Sequence, residues 1–146
     1  CMYPFFWRSS PYPFLPTFDA PDATTTCTRR SRSNTPLQAL TLANDRAFFE
    51  LAQGVAVRIM VEGPTTDRER LRFGFRVCLS REPSEEELGT LSEFLSIQRR
   101  RFSMSDKNAT RVAPAGRPGD IGVSEAAAWT AVSRVLVNLD EFITRE

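Results

Sequence analysis

Histidine is absent from all 146 residues of this chain. Its absence removes the commonest general base near neutral pH and the commonest side-chain metal ligand. It also excludes a Cys-x-x-Cys-His haem attachment. Cysteine is scarce: Cys1, Cys27 and Cys78 stand far apart, with no spacing that suits a metal. They read as isolated thiols, although Cys1 and Cys27 could pair in an oxidising compartment. No metal centre and no cofactor are therefore expected within this chain. Lysine is nearly missing, since Lys107 is the only one and the other 18 of the 19 basic residues are arginines. That skew fits a GC-rich genome better than it fits a function. Neither sign of charge dominates, and the formal net charge of +1 argues against a dedicated nucleic-acid binder. No apolar run reaches the roughly 18 residues of a membrane-spanning helix. The first residues are aromatic and proline-rich, without the basic start and aliphatic core of a signal peptide. A first residue that is Cys and not Met reads as a processed end or, preferentially, as a piece of a longer protein.

What is present is ordinary in bulk and uneven in distribution. A hydrophobic fraction of 41% and a charged fraction of 25% suit one soluble globular domain of this length. Residues 1–34 stand apart. The stretch YPFFWRSSPYPFLPTFDAPD interleaves seven aromatic residues with five prolines. Prolines hold such a backbone extended, so its aromatics have to pack on another surface. The segment reads as an arm lying on the body of this domain, on another part of a longer chain, or on a partner.

Residues 35–146 carry helical patterns and no competing strand pattern. Thr35-Pro36-Leu37-Gln38 reads as an N-cap, a proline at the first helical position and a capping box. Leu37 and Leu40, then Phe48, Leu51, Ala52, Val55 and Ile59, recur at helical spacing up to Gly63-Pro64, with a break or kink allowed at Asn44-Asp45. Thr66-Asp67-Arg68-Glu69 opens a second helix with the stripe Leu71, Phe75, Cys78 and Leu79. Gly74 on that stripe permits close approach of another helix. Ser84-Glu85-Glu86-Glu87 opens a third, followed by Leu88, Leu91, Phe94 and Leu95. Ser124 is expected to cap the last, which carries Trp129, Val132, Leu136, Leu139 and Ile143. Residues 103–122 hold five glycines or prolines and read as a flexible loop. The expected fold is all-α, a small bundle of about four helices with an extended proline- and aromatic-rich arm.

Candidate site residues cluster around CTRRSRSNTPLQAL. Arg29, Arg30 and Arg32 precede the helix at Thr35, where guanidinium groups and free N–H groups together can hold a phosphate, sulfate or carboxylate. The plainer alternative is ion pairing with Asp45, Asp140 or Glu141, or simple solvation. Asn44 and Asp45 sit at the expected helix break. Asn138, Asp140 and Glu141 flank the last apolar face. Neighbouring helix positions diverge by about 100°, so Asp140 and Glu141 do not address one substrate together. Pairing with the arginine cluster is the preferred account of both. Asp19 and Asp22 make a weak cation site, for which an Asx turn is the better reading. No catalytic residue is assigned.

Taken in order, FDAPD, CTRRSRSNTPLQALTLANDRAFFE, LRFGFRVCLSREPSEEEL and AAWTAVSRVLVNLDEFITRE resemble the C-terminal part of a planctomycete-specific domain family of unknown function. Members occur in large exported proteins that often also carry a cytochrome-c-like domain. The resemblance implies a periplasmic, cell-envelope or extracellular setting, and haem, if any, on a different domain. It supplies no catalytic residues. Among its recurring positions, Arg29, Arg30, Asn44, Asp45 and Asp140 lack a capping or packing reason here. The expectation is a non-catalytic structural or interaction domain that docks on the rest of its parent polypeptide or on a second chain. The alternative is one wall of a composite active or ligand-binding site, built on the Arg29/Arg30 loop.

Overall fold

Local capping chemistry sets where the helices begin, and a computed structural model describing residues 14–21, 25–29, 33 and 35–143 shows how they pack. Among the described residues the chain is all-α, with eight helices and no strand. They are α1 (Phe14–Thr17), α2 (Pro36–Asn44), α3 (Arg46–Glu62), α4 (Asp67–Leu79), α5 (Glu85–Ser103), α6 (Asp106–Val112), α7 (Val123–Leu136) and α8 (Asp140–Ile143).

The expected helix from residue 35 onward is two helices. Thr35 and Gln38 form the complete reciprocal capping box of α2. Asp45 then leaves helical geometry and caps α3 by accepting the Ala47 N–H at 2.8 Å. Ser84 and Glu87 make a second reciprocal box at the start of α5, and Thr66 accepts from the Glu69 N–H at the start of α4. Ser124 does not cap α7. Gly122 occupies that position without a side-chain bond, and the Ser124 hydroxyl instead donates to the Phe102 carbonyl at 3.4 Å.

The count exceeds four for a physical reason. The helices α1, α6 and α8 are one to two turns long, too short to write an apolar stripe. α6 lies inside the segment expected to be a loop. It buries Ala109 completely and packs against α7 and α5. Residues 113–122 remain without helix.

At the centre is α7, packed against α5, α3 and α6. It buries Ala126, Ala127 and Ala128 beside Trp129, Val132 and Leu136. A helix apolar on nearly every side belongs in a core, and its alanines let neighbouring backbones come close. The Trp129 indole N–H donates to Glu125 at 2.8 Å, and Glu125 is held in turn by Arg99, which also grips Asp67. One arginine thus ties the starts of α4 and α7 to α5. Arg81 does the same at the opposite end, bridging Glu87 and Glu141 and lying 4.7 Å over the Phe75 ring.

The described part of the N-terminal segment does lie on the body of the domain. Phe14 and Phe18 are 4.8 Å apart, and each is within about 6 Å of Phe48 on α3. The segment is not extended throughout, because α1 makes one helical turn before Asp19. Residues 1–13, with their aromatics and Cys1, lie outside the described residues.

Candidate functional site

The residues singled out from the sequence do not converge on one site. Arg29 is exposed and, among the described residues, makes no ion pair; its carbonyl accepts from the Cys27 thiol at 3.2 Å. Arg30 and Arg32 lie outside the described residues. The Asn44 amide donates to the Leu40 carbonyl at 2.9 Å, closing the last turn of α2, and Asp45 is spent capping α3. Asp140 stands at the first position of α8 and is exposed. Its neighbour Glu141 pairs with Arg81, and among the described residues it makes no pair with Arg29. The carboxyl of Glu141 is pulled below its ordinary range, chiefly by the Arg81 hydrogen bond.

Asp19 also differs from expectation. Among the described residues its carboxylate reaches 14 residues on, accepting the Ser33 N–H at 2.8 Å and the Ser33 hydroxyl at 2.8 and 2.9 Å. Gln38, which is 1% exposed, donates its amide to Ser33 at 3.1 Å and to Asp19 at 3.4 Å. These bonds lower the Asp19 carboxyl pKa, with Ser33 the main cause. The knot uses the Asp19 oxygens internally and locks the arm to α2. Asp22 lies outside the described residues. Among the described residues no group of three or more metal-ligating side chains occurs, and no helix is long and apolar enough to cross a membrane.

An open groove of about 810 Å³ lies elsewhere. Its walls come from the end of α2, from α3, from the second half of α5, from α6, and from α7 with Asn138 two residues beyond it. Three arginines line it: Arg101 from α5, Arg111 from α6 and Arg134 from α7. Gln98, Asn108 and Asn138 add amides, and Phe49, Phe94 and Phe102 add aromatic surface. Among the described residues no Asp or Glu lines the groove. Arg134 is fixed in place, donating to the Ala43 carbonyl and lying 5.4 Å over the Phe49 ring. Arg101 and Arg111 are exposed, and among the described residues neither makes an ion pair.

Sequence reasoning missed this groove. In the sequence Arg101 is one of the consecutive arginines Arg99, Arg100 and Arg101 near the end of α5, and Arg111 falls within the segment that reads as a loop. The one available signal was Arg111 following Asn108 at helical spacing.

The family model of PSD1, a protein of unknown function (DUF1553), matches residues 1–95. The AAWTAVSRVLVNLDEFITRE segment lies beyond the matched residues. No curated protein and no solved structure matches the chain. With close to two thirds of its length matched, the chain belongs to the PSD1 family of unknown function.

Proposed function

We propose that this PSD1-family chain is a non-catalytic interaction domain of a larger exported bacterial protein, docking through α2 on the rest of its parent polypeptide or on a second chain. The observation that carries this reading is a second apolar face on α2, beside the Leu42 that it buries. Leu37 and Leu40 are each 59% exposed, whereas Gln38 between them is buried. A helix that packs only on its own core turns its leucines inward, as α2 does with Leu42. The capping box and the Asp19–Ser33–Gln38 knot instead turn Gln38 inward and leave Leu37 and Leu40 facing out. Covering a fully exposed leucine is worth about 1.5–3 kcal/mol, so a partner over these two leucines gains roughly half of that at each. The resemblance in the sequence supports a cell-envelope or extracellular setting and a cytochrome-c-like neighbour. In that arrangement any haem sits on the neighbour and none on this chain.

The test is hydrogen–deuterium exchange of the α2 amides, measured in the isolated chain and in the parent assembly. Docking predicts strong added protection at α2 in the assembly. It also predicts that Leu37→Glu with Leu40→Glu abolishes that protection without lowering the melting temperature of the isolated chain. Equal exchange in both settings would contradict the proposal.

A second reading, the composite site with Arg29 and Arg30 as one wall, is favoured by the exposure of Arg29 and its lack of an ion pair among the described residues.

A further inference from the structure

The arginine-lined groove carries an inference independent of α2. Half of the acidic side chains among the described residues are already committed to other arginines. Glu50, Glu62, Glu82, Glu85, Glu87, Glu141, Asp67 and Glu125 pair with Arg46, Arg58, Arg76, Arg68, Arg72, Arg81 and Arg99. The three groove arginines are left out of that exchange, although they converge on one concavity. Seven ion-paired arginines show that this sequence has acids to place beside guanidinium groups, and it places none here.

Two further features turn a cationic surface into a site. Arg134 is pre-organised by the Ala43 carbonyl and the Phe49 ring, so its guanidinium needs little ordering to receive an anion. The volume falls within the usual range for small-molecule sites, about 300–1,000 Å³, and the mixture of aromatic lining with a few directed polar groups is typical of them.

We infer that this groove binds a small amphipathic anion, a carboxylate or phosphate monoester carrying an apolar or aromatic body. Arg101, Arg111 and Arg134 take the anionic head by charge-assisted hydrogen bonds. Phe49, Phe94 and Phe102 take the body. The amides of Gln98 and Asn108 orient the ligand by donating their N–H groups. A metal cation is disfavoured because the lining offers positive charge and no carboxylate. A long nucleic-acid strand is disfavoured by the near-zero net charge of the chain.

The experiment is isothermal titration of the full chain with 4-phenylbutyrate, phenyl phosphate, inorganic phosphate and the neutral 4-phenylbutyramide. At least one of the two aromatic anions is expected to bind saturably, about tenfold or more tighter than both inorganic phosphate and the amide, the factor of one lost charge-assisted contact. Arg101→Gln with Arg111→Gln should weaken that binding by at least the same factor. Arg100→Gln, next to Arg101 in sequence but outside the groove lining, should leave it unchanged. All three substitutions are at exposed positions, and an unchanged melting temperature verifies that the fold is intact. No binding of either aromatic anion would overturn the inference. So would equal binding of the amide or of inorganic phosphate, or equal losses from the groove variant and Arg100→Gln.

Discussion

Gly74 offers the sharpest quantitative check on the packing that positions both surfaces. It lies buried on α4, facing Ile59 of α3. A methyl group added there would stand 2.6 Å from Ile59 Cδ1, 3.2 Å from Ile59 Cγ1 and 3.4 Å from Leu136 Cδ1. Carbon atoms pack comfortably at about 3.5–4.0 Å, so the closest contact is short by roughly 1 Å. Ile59 is fully buried, and its side chain cannot swing into solvent to make room. Two terms of opposite sign compete in Gly74→Ala. The helix gains about 1 kcal/mol from replacing glycine by alanine. Overpacking a well-filled core costs about 1–3 kcal/mol. The expected net is a loss of about 1 kcal/mol, or a melting temperature lower by about 2–4 °C for a chain of this size.

Gly54 and Gly89 provide the internal control, since an added methyl would meet nothing within 4 Å at either position. There the propensity term acts alone, and alanine should stabilise by about 0.5–1 kcal/mol. Ile59→Val removes the clashing Cδ1 at its own cost of about 0.5–1.5 kcal/mol. In that background Gly74→Ala should change sign and stabilise, a coupling a double-mutant cycle reads directly. Urea denaturation followed by far-UV circular dichroism supplies all the values. If Gly74→Ala stabilised as much as Gly54→Ala and Gly89→Ala, or the cycle showed no coupling with Ile59, the packing argument would be refuted.

Two further outcomes follow from the described geometry. The Glu87 carboxyl is pulled from 4.5 down to about 2, chiefly by the Arg81 side chain and then by the Ser84 backbone N–H. A group whose pKa is depressed on folding contributes stability above its unfolded value, and that contribution is lost as pH falls through the folded one. The melting temperature should therefore decline from about pH 4.5 towards pH 2, and Glu87→Gln should lower it at pH 7 while flattening that decline; an unaltered pH profile would contradict the assignment. Burial pushes the Cys78 thiol up to about 11, so at pH 8 only about one in a thousand Cys78 side chains is thiolate. A thiol-specific reagent should thus label exposed Cys27 rapidly in the native protein and reach Cys78 only on unfolding, whereas native labelling of Cys78 would show that its site opens.

The helix starts could be read from the sequence because capping is local. Thr35 with Gln38, and Ser84 with Glu87, are three residues apart and need no tertiary information. The buried stripes of α4 and α5 were equally readable, since Leu71, Phe75 and Cys78, like Leu88, Leu91 and Leu95, follow the helical period over several turns. The orientation of α2 was not. Its leucines mark an apolar face by periodicity, but Gln38 is drawn inward by Asp19 and Ser33, whose approach depends on the fold of the preceding segment. Helix α6 escaped because seven residues with one buried alanine write no pattern, and the groove escaped with it. The Arg81–Glu141 bridge joins positions 60 residues apart, a pairing that charge placement along the chain cannot specify. The arginines that drew attention by crowding together at 29–32 are not those that line the groove. Arg101, Arg111 and Arg134 come from three separate helices.

Native mass spectrometry of the protein as isolated from its own cells tests the interaction-domain account most directly. The account predicts a species heavier than this chain alone, carrying the rest of a larger polypeptide or a second subunit, and a second subunit dissociates when Leu37→Glu and Leu40→Glu are introduced. A folded species of single-chain mass, with the same spectrum for the variant, would contradict it.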